Sequence, residues 1–102
     1  MSENDAAKST SNDLDALIER LCAYLDEHRV EFSGKQLSEA GELYERYDHQ
    51  TARMVVQGKD DANTLALAHV LDEVHRAKLS PDKAAYLIRH LSQIRKNRRK
   101  NP

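Results

Sequence analysis

Five histidines, a single cysteine and seventeen carboxylates are the groups in this chain that could do chemistry. The histidines are His28, His49, His69, His75 and His90. His69 and His75 are six apart, about 240° around a helix, so one helix cannot bring both to one ion. No Cys pair and no His-Glu-x-x-His supports a zinc site, and His69 with Glu73, four apart, is a weak ligand pair at best. They read as ordinary surface or packing histidines, with no metal. Nucleophilic catalysis needs a base held against Ser or Cys and an oxyanion hole, usually organised by sharp glycine turns. Only Gly34, Gly41 and Gly58 are present, and none belongs to a phosphate-cradling glycine motif. Cys22 has no visible activating histidine and reads as a small, partly buried helix residue. The acids Glu19, Asp26, Glu27, Glu39, Glu42, Glu45 and Asp48 read as solvated helix faces. The expectation is therefore a non-enzyme without cofactor.

The elements that position these groups follow from apolar spacing. Residues 1–11 carry no large apolar side chain beyond Met1, which predicts a flexible tail. From Asn12, the expected N-cap, Leu14, Ile18, Leu21, Leu25 and His28 recur at four and three, predicting a helix over 13–29. Ser33 with Gln36 forms a capping box for a second helix over 34–57, whose stripe is Leu37, Ala40, Tyr44, Tyr47, Thr51 and Met54, ended by Gly58. A third helix, 62–78, is apolar over much of its circumference through Leu65, Leu67, Ala68, Val70, Leu71 and Val74. Ser80-Pro81-Asp82 then starts a fourth, 81–97. No segment alternates at period two. The fold expected is all-α: a small four-helix, bundle-like domain over 12–97 with a flexible N-terminal tail and a basic tail at 98–102.

Charge is distributed unevenly. Residues 1–48 carry twelve acids against five Lys or Arg, net −7, and residues 49–102 carry five acids against eleven, net +6. After Asp82 there is no acid, while Lys83, Arg89, Arg95, Lys96, Arg98, Arg99 and Lys100 give +7. On a helical wheel Ala84, Leu87, Ile88, Leu91 and Ile94 form one face, with Arg89, Gln93, Lys96 and Lys100 roughly opposite, a ridge expected to face solvent. Such a ridge suits phosphates or an acidic protein surface, and equally a solubilising face at a helix C-terminus. A base-reading helix-turn-helix is disfavoured, because the helix after the short link opens Pro81, Asp82, Lys83, Ala84, Ala85, which offers a base edge little.

These features point to a non-catalytic regulatory or inhibitory protein that docks on a protein partner through charged helical surfaces. The alternative is a sequence-tolerant DNA- or RNA-binding protein using the basic C-terminal helix. The candidate binding residues are Arg89, Gln93, Arg95, Lys96, Arg98, Arg99 and Lys100, with Tyr44 and Tyr47 as a possible homodimer interface. With one Phe and no Trp the core is small, and a dimer could cover remaining apolar surface. No apolar run of 18 residues exists and Met1 to Asn12 lacks an apolar leader segment, so no membrane span or signal peptide is expected. With one cysteine, the expected compartment is the reducing cytoplasm.

Overall fold

A computed structural model describes the backbone over residues 2–59 and 63–100, and the side chains over 13–59 and 63–98. Six helices and no strand occur among the described residues: α1 (Ser2–Glu27), α2 (Gly34–Arg46), α3 (His49–Gly58), α4 (Thr64–Arg76), α5 (Pro81–Arg89) and α6 (Leu91–Lys100). The fold is all-α. It differs from four long helices because two of the expected ones are divided.

The first division falls at Tyr47-Asp48. Asp48 is extended (φ −162°, ψ 179°) and its carboxylate accepts the Thr51 N–H at 2.7 Å, so it caps a new helix. The three-and-four spacing resumes beyond the break, which is why periodicity alone runs through it. The second division is His90 (φ −104°, ψ 12°), a single non-helical residue between α5 and α6. At the N-terminus α1 extends to Ser2, where the lack of apolar residues predicted a flexible tail. Glu3, Ala6, Ala7 and Lys8 are good helix formers, and no Gly or Pro interrupts them. The basic tail expected at 98–102 is helical as far as Lys100, and Asn101 and Pro102 lie outside the described residues.

The predicted caps at Ser33 and Ser80 are present. Ser33 and Gln36 form the reciprocal capping box, at 3.0 and 3.1 Å. Ser80 accepts the Lys83 N–H, with Pro81 in the first turn of α5. The end of α1 is less legible in sequence. Val30 N–H donates to the Leu25 carbonyl at 2.8 Å and Arg29 N–H to that of Asp26 at 3.2 Å, while Arg29 takes a left-handed φ of 54°. This is a Schellman closure with Arg where glycine is usual, and buried Val30 completes it.

The core joins Leu17, Leu21 and Leu25 of α1 to Val70, Leu71 and Val74 of α4, and to Leu87, Ile88 and Leu91 of α5–α6. α2 packs most extensively on α5, α3 lies along α4, and α1 crosses α4. Small buried residues lie on both helices of the α2–α5 pair, Ala40 and Gly41 on α2 and Ala84 and Ala85 on α5. A Cβ on Gly41 would lie 2.6 Å from Arg89 Cγ and 3.2 Å from the Ala85 carbonyl oxygen. No helix among the described residues is long and apolar enough to cross a membrane.

Candidate interaction surface

The structure removes Arg95 from the solvent-facing basic cluster. Its residue exposure is 6%. Nε and Nη2 donate to Asp26 Oδ1 at 3.0 and 2.6 Å, and Nη1 donates to the Val30 carbonyl at 2.6 Å. One guanidinium thus ties α6 to the last turn of α1 and to the loop after it. The physical reason is positional: Arg95 follows Leu91 by four and Ile88 by seven, which places it in the apolar stripe. A long side chain there buries its stem and needs a carboxylate and a carbonyl for its head.

The other predicted residues divide. Arg89 is half-buried and donates to Glu45 of α2 at 3.0 Å. Arg98 stands 3.9 Å from Glu19 of α1. Gln93 donates to Asn97 at 3.1 Å along the same helix. Lys96 is exposed, with no ion pair among the described residues. The side chains of Arg99 and Lys100 lie outside the described residues. Arg89, Arg95 and Arg98 therefore face acids of α1 and α2, so the opposed charge of the two halves of the chain is partly matched within the fold.

Tyr44 and Tyr47 are also separated. Tyr44 is buried, because α2 turns Leu37, Ala40, Gly41 and Tyr44 inward, and burial pushes its hydroxyl pKa up. Tyr44 is thus a core residue and not part of an exposed dimer surface. Tyr47, at the turn into α3, is 59% exposed, and on α3 itself Met54 is 65% and Val55 38% exposed. Glu42 and Arg46, an exposed i,i+4 pair, precede this apolar set, and the Arg46 guanidinium lies 6.0 Å from the Tyr47 ring centre. Sequence periodicity misassigned Met54 to a buried stripe, because the cap at Asp48 resets the helical phase.

The histidines serve largely as flat packing groups. His69 stacks on Tyr24 at 4.1 Å, with His28 on the same tyrosine at 4.4 Å. His49 stacks on His75 at 4.2 Å with rings nearly parallel. His49 Nε2 meets Asp72 Oδ1 at 2.7 Å, and Arg53 Nε reaches the same carboxylate at 2.9 Å. Partial burial would raise the Asp72 pKa, but the hydrogen bonds and charges of His49 and Arg53 outweigh it and hold the carboxyl below its usual value. Asp48 is lowered mainly by the Thr51 backbone N–H. No group of three or more His, Cys, Asp or Glu among the described residues could hold a metal ion.

Comparison of the chain with protein-family models, with curated proteins and with solved structures finds no match.

Proposed function

We propose that this protein is a non-catalytic regulatory or inhibitory protein that docks on a protein partner. The observation that supports this reading best is the exposure of Tyr47, at the turn into α3, and of Met54 and Val55 on α3, with the charged pair Glu42 and Arg46 just ahead of them in the chain. Aromatic and Met side chains anchor protein interfaces, while charged rims tune orientation and association rate. The same face would serve a homodimer, so sedimentation of the free protein belongs to the test.

The experiment is affinity capture from the native host with wild type and with Met54→Asp, whose outward position leaves the core intact. Loss of one specific captured protein, with helical circular dichroism unchanged, is the expected result. Equal capture by both forms overturns the α3 surface. Nucleic-acid binding through α6 is the second reading, and it rests on exposed Lys96 and half-exposed Arg98. No binding of generic DNA at low salt overturns it, and a steep loss of affinity with added salt supports it.

A further inference from the structure

A cleft of about 540 Å³ lies between α1 and the connection from α4 to α5. Four cations line it from three parts of the chain: Arg20 of α1, Arg76 and Lys78 at the end of α4, and Lys83 in the first turn of α5. Two carboxylates oppose them. Asp13 is part of the lining, and Glu73 sits behind it, 3.7 Å from Arg20 and 2.9 Å from Arg76. Lys78 and Lys83 have no ion pair among the described residues. Asp82 stands beside Lys83 in the first turn of α5, so four cations meet three nearby acids and still outnumber them, in a chain whose total is −1.

Helix ends do not decide the sign. The N-terminus of α5 brings roughly +0.5 charge to the cleft and the C-terminus of α4 roughly −0.5, so these contributions offset. The side chains decide. A guanidinium that gives one edge to Glu73 keeps further N–H donors for a second anion, and the two ammonium groups add three donors each. Leu14 and Leu79 supply apolar wall beside the cations. The volume falls within the roughly 300–1,000 Å³ of small-molecule sites. Concavity of that size fits a compact ligand better than a nucleic-acid backbone or a flat protein surface.

We propose that this cleft binds a phosphorylated small molecule, a phosphate monoester whose oxygens accept from the lining cations and whose apolar portion rests on Leu14 and Leu79. A phosphate monoester carries about −1.5 to −2 at neutral pH. The site is independent of the α3 face, so failure of either proposal leaves the other standing.

The test is titration of the 102-residue chain with adenosine monophosphate, inorganic phosphate and adenosine at low salt, followed by amide chemical shifts and calorimetry. Adenosine monophosphate should bind and shift the amides around Arg20, Arg76, Lys78 and Lys83. Inorganic phosphate should compete more weakly, and adenosine alone should not bind measurably. Lys78→Gln combined with Lys83→Gln should lower affinity about tenfold or more through the loss of two charge-assisted contacts. Lys96→Gln should leave affinity unchanged. Shifts confined to α6, an equal loss in the Lys96 variant, or no binding of any phosphate at low salt would each overturn the assignment.

Discussion

At the α6 end, Arg95 and Arg98 face Asp26 and Glu19, and Arg89 faces Glu45. At the α4–α5 connection, Arg20 and Arg76 share the Glu73 carboxylate, while Lys78 and Lys83 find no acid among the described residues. Local sequence density points the other way, since the six cations from Arg89 onward stand without a single acid and the cleft cations are scattered over positions 20 to 83. The contrast teaches that a charge run measures how much charge a segment brings, whereas only the fold says how much meets its counter-charge. Acidic α1 and α2 lie where basic α5 and α6 dock, so part of the apparent interaction surface is internal complementarity.

The largest expected effect tests that statement directly. Arg95→Met keeps side-chain length and removes the donors, leaving the carbonyl of buried Val30 without its partner. An orphaned buried acceptor costs about 1–3 kcal/mol. Asp26 is half-exposed and rehydrates, so its lost ion pair adds little. A total loss near 2–3 kcal/mol is expected in urea denaturation. Lys96→Met, one residue away and exposed, should change stability by less than about 0.5 kcal/mol. Equal effects for the two variants would break the distinction between committed and free cations.

Much of this was written in the chain, though unevenly. Ser33-x-x-Gln36 and Ser80-Pro81 announce their helices because capping is local chemistry, complete within four residues. The inward position of Arg95 is also legible, four after Leu91 and seven after Ile88, once position on the wheel outranks residue type. The buried Tyr44 sits on the predicted stripe at seven from Leu37, so its inward position follows from the same rule. Asp48 is harder to read: an aspartate followed by Thr51 caps α3, yet apolar spacing continues across it and suggests one helix. The kink at His90 has no Pro or Gly to mark it. The cleft could not be read at all, since it exists only where α1 crosses the α4–α5 connection and joins residues more than fifty positions apart.

A smaller effect sharpens the account of Arg89. Gly41→Ala gains about 1 kcal/mol of helix propensity, but its Cβ meets Arg89 Cγ at 2.6 Å and the Ala85 carbonyl at 3.2 Å. Overpacking of this kind costs about 1–3 kcal/mol, so a net loss near 1 kcal/mol is expected. The Arg89–Glu45 pair should separate, which the Glu45 carboxyl would report by nuclear magnetic resonance. An unchanged midpoint and an intact pair would mean that α2 and α5 slide apart freely.

The α3–α4 network supplies a pH test of a third charge arrangement, one in which a carboxylate gathers several donors. Asp48 and Asp72 are both depressed in the folded state below the ordinary 3.8. Their stabilisation is fully present above that unfolded value and is lost as pH falls through the lower folded values. The unfolding midpoint should therefore decline in acid below about 3.8 from this source, and Asp72→Asn should flatten that decline. An unchanged acid limb in the variant would remove Asp72 from the account.

The smallest expected effect bears on the cleft and separates folding from binding most cleanly. Lys78 ends α4 with a left-handed φ of 58°, a conformation that costs an L-residue about 1–2 kcal/mol and glycine almost nothing. Lys78→Gly relieves that strain while giving the unfolded chain more freedom to lose, so a net gain of about 0.5 kcal/mol is expected. Because Lys78 has no ion pair among the described residues, little is lost to offset it. The same substitution removes one of the four cleft cations and should weaken phosphate-monoester binding severalfold. Opposite signs for stability and affinity would show that Lys78 serves the cleft at the expense of the helix end. A gain in stability with unchanged affinity would leave Lys78 outside the site, and a loss of stability would mean that its side chain holds the α4–α5 connection in place.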